Sequence, residues 1–245
     1  MLSKLKKIYT REQFLPTFLS VFINPFYFLR KGLLLNIKKN KNYMKGILLD
    51  FGCGSKPYKD IFNVEKYIGL DIEKSGHNHT GEPIDFFYDG EKIPFKDNYF
   101  DSIFSSEVFE HIFNLEDILA ELNRVLKLNG YILTTVPFAW DEHEIPYDFG
   151  RYTSFGLASL FIKYGFEVKT IEKSTNYVES AFQIWIAYIY QYLFPKNKYL
   201  QFFLTFFFIT PLNLLGIILS FTLPKRYSFY NNIICIAEKI NNLKK

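Results

Sequence analysis

Two short stretches limit what this chain can fold into more than anything else in it. Residues Leu48 to Ser55 read L-L-D-F-G-C-G-S, and Tyr67 to Ile72 read Y-I-G-L-D-I. An apolar run that ends in an acid and then in two glycines describes a buried parallel strand that stops at a tight loop. Glycines there let backbone N–H groups approach a ligand with no Cβ in the way. The second apolar run places Asp71 21 residues after Asp50, at the tip of a neighbouring strand. In doubly wound sheets such a carboxylate takes a pair of ribose hydroxyls. The pattern therefore predicts a nucleoside site on a parallel sheet.

The loop chemistry narrows the nucleoside. A dinucleotide site wants G-x-G-x-x-G, but the run here is Gly52-Cys53-Gly54-Ser55-Lys56-Pro57, with proline where the third glycine belongs. A phosphate loop of the form G-x-x-x-x-G-K-[ST] is absent. Asp50 ahead of the glycines would repel a pyrophosphate and welcome an ammonium or a hydroxyl. One acid beside the loop and another on the second strand suit S-adenosyl-L-methionine, which carries an amine and a sulfonium.

Strand and helix signals alternate along the chain, which argues for a parallel sheet with helices on both faces. Strands are expected near 46–51, 66–72, 84–88, 100–106, 131–137 and 166–173, with a last one at 232–239. Helices are expected at 58–62, 114–127 and 153–164, the last opened by Thr153 or Ser154 as cap. At 245 residues and 49% apolar content, one core domain with appendages is the natural size. Two cysteines cannot make a disulfide framework, which fits a reducing cytoplasm, and residues 1–20 lack the pattern of a secretory leader.

In this order and at these spacings, the motifs resemble those of class I S-adenosylmethionine-dependent methyltransferases. The likeness covers roughly 46–173 plus the last strand. Besides the two opening stretches it rests on D-G-E-K-I-P-F-K-D-N-Y-F-D (Asp89–Asp101), S-E-V-F-E-H-I (Ser106–Ile112) and L-N-R-V-L-K-L-N-G-Y-I-L (Leu122–Leu133). The resemblance implies a Rossmann-like α/β fold: a seven-stranded mixed sheet with helices on both faces. It also implies roles. Gly52 and Gly54 would meet the methionine end of the cofactor through backbone, and Asp50 would help hold its amino group. Asp71 would take the ribose and Ile72 would lie against the adenine. Asp89, with the Gly90 N–H, would accept from the adenine amino group, although an Asp-Gly pair is also an ordinary turn. Glu107, Glu110 and His111 would follow the fourth strand, where the transferred methyl points. His111 is the candidate base, or else part of a local scaffold.

The segment F-A-W-D-E-H-E-I-P-Y-D-F-G-R-Y-T, from Phe138 to Thr153, leaves the fifth strand at the end where open α/β sheets bind substrates. Its wording resembles methyltransferases associated with bacterial surface-glycan assembly. That likeness puts His143, Asp148 and Arg151 at the acceptor, with aromatic faces for sugar rings and Arg151 for a phosphate or carboxylate. The plainer alternative is an Asp148–Arg151 pair that only orders the loop. No metal is expected: the His77-x-His79 pair has no companion cysteines. No N-P-P-Y follows the fourth strand, so DNA methylation is not expected, and RNA is disfavoured because aromatic recognition modules are absent.

Charge and hydropathy set two further segments apart. Residues 1–45 hold ten Lys or Arg against the single acid Glu12, so this aromatic arm is +9 and the rest of the chain −5. Ser180–Phe194 and Leu200–Leu223 carry no charge at all. The second run is long enough to span a bilayer. If 232–239 returns to the sheet beside 166–173, however, a single crossing is excluded. The expectation is a hydrophobic helical insertion at 175–230. It lies in the membrane interface, is buried against the core or a second copy, or spans the bilayer. The organisation expected is a basic arm (1–45), the core (46–174), the insertion (175–230) and a last strand with a basic tail (231–245). Taken together these features predict an O-directed methyltransferase acting on a glycan or lipid-linked glycan precursor, peripheral on the cytoplasmic face of the membrane. Rival readings are a quinone or other small-lipid methyltransferase and a non-catalytic scaffold that binds the same nucleoside.

Overall fold

The computed structural model describes residues 2–73 and 81–243, with side chains from residue 7 onward. His77 and His79 lie outside the described residues. The chain divides into two compact units, one of 37–172 with 233–245 and one of 1–36 with 173–232.

The seven strands are β1 (Ile47–Phe51), β2 (Lys66–Ile72), β3 (Phe86–Tyr88), β4 (Phe100–Ser106), β5 (Leu126–Pro137), β6 (Phe166–Lys173) and β7 (Asn232–Lys239). They form one mixed sheet in the order β3-β2-β1-β4-β5-β7-β6. β1 pairs in parallel with β2 on one side and β4 on the other, in the middle of the sheet. Leu48, Leu49, Ile103, Ile132 and Ile234 are fully buried, as near-continuous apolar runs in two-sided sheets must be. Chain order reverses on either side of β1, between β2 and β4, so the loops leaving β1 and β4 diverge there and open a crevice at their carboxyl ends.

β6 and β7 are neighbours, as the crossing argument required. One expectation needs correction. The fourth helix (α4, counting three in the N-terminal arm) runs only over Leu115–Val125 rather than to 127, and β5 starts at Leu126 rather than 131. Leu126 already pairs with Phe100, and the register then jumps to Ser102 opposite Tyr131. The extra residues form a bulge, with Asn129 at φ 60°, where the expectation left a gap between helix and strand. The helix at 153–164 is α5 (Ser154–Lys163), and Thr153 is its cap, accepting from the Gly156 N–H at 3.1 Å.

Lys239 on β7 is fully buried and donates to Asn98 Oδ1 and to the Asn123 and Leu126 carbonyls at 3.0, 2.7 and 2.7 Å. It thus ties the C-terminal end of α4 to the last strand, where a cation meets the negative end of the helix dipole. Lys239→Met should leave those carbonyls without a donor and cost about 2–4 kcal/mol of stability. Urea denaturation checks this, and an unchanged midpoint would refute it.

The other unit joins the N-terminal arm and the insertion. The arm folds as α1 (Leu2–Phe14), α2 (Ser20–Ile23) and α3 (Tyr27–Asn40), whose last turn belongs to the sheet-bearing unit. Glu12, the arm's one acid, is buried and organises the turn after α1: its carboxylate accepts from Thr17 N, Thr17 Oγ1 and Ser20 Oγ. The insertion forms α6 (Tyr177–Tyr188), opened by a reciprocal cap between Asn176 and Glu179, then α7 (Lys198–Leu204) and α8 (Thr210–Thr222). A wide turn over Thr205–Ile209 carries α7 into α8, so the helix is continuous over Lys198–Thr222 despite Pro211. Asn213, within the same apolar run, points inward and donates to the Val21 carbonyl at 2.9 Å. Phe28, Ile186 and Ile209 form the core of this unit.

Candidate active site

The loop after β1 takes the form its glycines require. Gly52 and Gly54 have φ of 73° and 43°, in the left-handed region. The Gly52 and Cys53 N–H groups donate to the Leu70 carbonyl at 2.9 and 3.2 Å, which folds the loop back over β2. A Cβ on Gly52 would strike the Val108 side chain, whereas the nearest atom to one on Gly54 is Glu82 Oε1 at 3.9 Å. The backbone at Gly54 therefore faces open space. Asp71 stands at the tip of β2 and is 8% exposed; its Oδ2 accepts from the Gly54 N–H at 2.7 Å and its Oδ1 from the Ile72 N–H at 2.8 Å. The acid and the glycine loop form one rigid cradle.

Asp50 sits deeper. It is 3% exposed and accepts from the Tyr67 hydroxyl at 2.5 Å. Burial pushes its carboxyl up to about 7, against the Tyr67 hydrogen bond and the nearby Lys56. A carboxyl raised in the folded state favours folding while protonated. That contribution is complete below its ordinary value near 3.8 and disappears as pH rises to about 7. Relative to Asp50→Asn, the protein without cofactor should therefore lose stability over this window, by on the order of 4 kcal/mol. Chemical denaturation of both proteins at pH 4, 5.5 and 7 checks it; a pH-independent difference between them would refute it.

Beyond Asp71 the crevice opens into a cavity of about 230 Å³. Ile72, Tyr88 and Gly90 line one side, and His111, Glu144 and Tyr147 another. Gly90 has φ 93°, and a Cβ there would press on Ile72 at 3.2 Å. Asp89 is at the surface, where its Oδ1 accepts from the Glu91 and Lys92 N–H groups at 2.9 and 3.1 Å. Those two bonds hold its carboxyl below the usual range and make it a turn former.

The far wall is built from the tip of β4 and the 138–152 loop. Glu107 has φ 57° and accepts from Thr135 Oγ1 at 2.7 Å. The Phe149 and Gly150 N–H groups donate to the Glu110 carbonyl at 2.7 and 3.2 Å, and His111 Nδ1 meets the Tyr147 carbonyl at 2.7 Å. These bonds pin the loop to β4. The His111 and His143 rings then stand edge to face, 4.7 Å apart. Burial keeps the His111 imidazole below its ordinary range, more than the Tyr147 contact and Glu144 raise it, so the neutral ring predominates at neutral pH. Asp148 binds Arg151 through both oxygens at 2.5 and 2.7 Å and lies 3.2 Å from His143 Nδ1. Burial alone would raise the Asp148 carboxyl, but Arg151 and the His143 N–H more than offset it and bring it to about 2. Asp148 and Arg151 thus order the loop and aim His143.

Of the residues named from sequence, Ile72, Gly90 and His111 share the cavity, while Asp50, Gly52, Gly54 and Asp71 form the cradle beside it. Sequence reasoning missed Glu144 and Tyr88. The signal for Glu144 was its place between His143 and the Ile145–Pro146 pair, in the loop already singled out.

Comparison with known proteins fits this geometry. Residues 49–134 match the family model described as a methyltransferase domain. Over these residues the chain carries a methyltransferase domain. An uncharacterized protein of Methanocaldococcus jannaschii, MJ1252, is 35% identical over 96 residues, which is 38% of this chain and 38% of that protein's length. The protein complexed with the Trm112 methyltransferase activator of Haloferax volcanii superposes with a TM-score of 0.54 at 16% identity, over 87% of this chain and 91% of its own. Phosphoethanolamine N-methyltransferase 2 of Haemonchus contortus, solved with S-adenosyl-L-methionine, gives 0.52 at 16% identity over 94% and 59%. The [4+2]-cyclase SpnF gives 0.53 at 16% identity over 85% and 80%. These likenesses establish the fold, and a fold shared with a cyclase does not by itself name a reaction. The cofactor of the methyltransferase domain is S-adenosyl-L-methionine, and the residues present fit it. With that cofactor bound, the open face at Gly54 would admit its amino-acid end, Asp71 would face the ribose, and Ile72 with Gly90 would give an apolar slot for the adenine.

Proposed function

We propose that this protein O-methylates a glycan or a lipid-linked glycan precursor at the cytoplasmic face of a membrane. Bound S-adenosyl-L-methionine would supply an electrophilic methyl carbon. The chain's own contribution is to align the acceptor, exclude water and accept a proton from the acceptor hydroxyl. The observation that carries the reading is the cavity next to the cradle: a neutral imidazole and a carboxylate on one wall, and the rings of Tyr88, Tyr147 and Phe149 around it. Aromatic faces suit the apolar face of a sugar ring, and about 230 Å³ is below the usual range of ~300–1,000 Å³ for ligand pockets, which suits a single ring.

The membrane part rests on the second unit. The helix Lys198–Thr222 has a mean hydropathy of 2.2 over its most apolar 18 residues, of which 28% are buried. Phe203, Phe207 and Phe208 on it are each more than half exposed, as are Trp185 and Tyr192 in the first part of the insertion. An apolar face of this kind, flanked by Lys196, Lys198, Lys225 and Arg226 and joined by a basic arm, suits an anionic bilayer surface, with the helix lying in the interface. The same face favours a second reading, methylation of a quinone or another small lipid. Incubating purified protein and methyl-labelled S-adenosylmethionine with membrane extracts tests both. Label in a glycan or glycolipid fraction supports the first and label in neutral lipid the second. Label only in protein or tRNA refutes both.

A further inference from the structure

The histidines and acids around the cavity form a second arrangement that methyl transfer alone does not use. Glu110 is fully buried, and neither of its carboxylate oxygens has a hydrogen-bond partner. A buried acid without donors is costly, which makes such a group rare unless something else occupies its lone pairs. Its Oε1 lies 3.6 Å from His111 Nε2, and ligand atoms of Glu110, His111 and His143 all lie within 4.8 Å of one another. Glu144 Oε1 lies 3.6 Å from the same His111 nitrogen.

We infer that Glu110, His111 and His143 hold a divalent transition-metal ion. The orientation of both rings argues for it. His111 Nδ1 is taken by the Tyr147 carbonyl at 2.7 Å, which leaves Nε2 as the lone-pair nitrogen facing Glu110. His143 Nδ1 lies 3.2 Å from both Asp148 Oδ2 and the Asp141 carbonyl, which leaves its other nitrogen for a ligand. Ligating histidines are commonly held in this way, with the far ring nitrogen donating to a carboxylate or a backbone carbonyl. Ligand atoms ~2.1 Å from a tetrahedral ion stand ~3.4 Å apart, close to the 3.6 Å between Glu110 Oε1 and His111 Nε2. A rotamer adjustment of ~1 Å at His143 completes the set. Two imidazoles and one carboxylate suit zinc or another first-row ion, and three protein ligands leave a position for a water or an acceptor hydroxyl.

What the ion would do rests on the proposed methyl transfer. An acceptor hydroxyl bound to it loses its proton more readily. That proton passes to the Glu144 carboxylate as the O–CH3 bond forms and the S–CH3 bond breaks, leaving S-adenosylhomocysteine. His111 would then hold the ion rather than act as the base itself.

The chain has four histidines, so the test can be made specific. Chelator-stripped full-length protein is titrated with zinc chloride, followed by calorimetry and metal analysis, and separately with cobalt chloride, followed by visible absorption. S-adenosylmethionine is titrated in parallel. One ion per chain is expected, with a visible cobalt band. His77→Asn/His79→Asn should leave it unchanged, and His111→Gln/His143→Gln should lose it. Glu110→Gln should weaken it at least about 100-fold, more than loss of an outer hydrogen bond does. That variant keeps the side-chain volume at a buried position, so it decides the matter even if the double histidine variant does not fold. No bound ion in the wild type, or equal affinity in Glu110→Gln, overturns the site. Either of those results with normal S-adenosylmethionine binding removes the ion and leaves the methyltransferase reading standing; metal binding without cofactor binding does the reverse.

Discussion

Replacing Phe203, Phe207 and Phe221 together with serine is expected to release the protein from anionic vesicles while leaving S-adenosylmethionine binding unchanged. The three side chains are 55%, 54% and 73% exposed, so little packing is lost within the folded chain. Phe203 and Phe207 lie one turn apart with ring centroids 4.5 Å apart, presenting one apolar ridge. Burying the exposed part of a Phe side chain contributes about 1 kcal/mol or more, so the triple change should remove about 3–4 kcal/mol of membrane affinity. That is at least a 100-fold drop in partition. Flotation with phosphatidylglycerol-containing vesicles measures it. Retained flotation would mean that this face is not the membrane contact, and a change of oligomeric state in the variant would identify it as a contact between copies.

Asp71→Ala is expected to reduce affinity for S-adenosylmethionine about 100-fold or more by calorimetry. The carboxylate has two duties. It accepts the Gly54 and Ile72 N–H groups, which fixes the loop, and in the proposed complex it would also take the ribose hydroxyls. Hydrogen bonds to a charged group contribute about 1.5–3 kcal/mol each, and losing two accounts for the expected drop. Asp71→Asn keeps an acceptor for the loop but not the charge, and should fall between wild type and alanine, about tenfold weaker. Wild-type affinity in Asp71→Ala would remove the cradle from the account of cofactor binding.

How much of this was legible in sequence depends on the range of the interaction. The β1 and β2 tips were readable because a glycine loop and an acid at a strand end need only their neighbours to act. The Thr153 cap was readable for the same reason. The start of β5 was not, because Leu126 joins the sheet through a long-range pairing with Phe100 that overrides the turn signal of Asn129 and Gly130. The turn at Asp89, whose Oδ1 accepts from the Glu91 and Lys92 N–H groups, was readable as well, because it is a local bond that the Asp-Gly pair advertises. β7 does return beside β6, the condition on which the exclusion of a single crossing rested, since sheet adjacency constrains a chain wherever its intervening residues go.

By itself the sequence determined the succession of strands along the chain, the glycine loop, the acid at the tip of β2 and the lack of charge across the insertion, all of which follow from periodicity and residue type. Only the tertiary structure decided that Glu110 is sealed without a donor. It also decided that His111 and His143, 32 positions apart, stand ring against ring, and that Asp148 spends its charge on Arg151 and His143. The physical reason is that burial and side-chain direction are set by packing among distant segments. Here the Phe149 and Gly150 N–H groups docking on the Glu110 carbonyl bring the two histidines together, and no spacing along the chain encodes that docking.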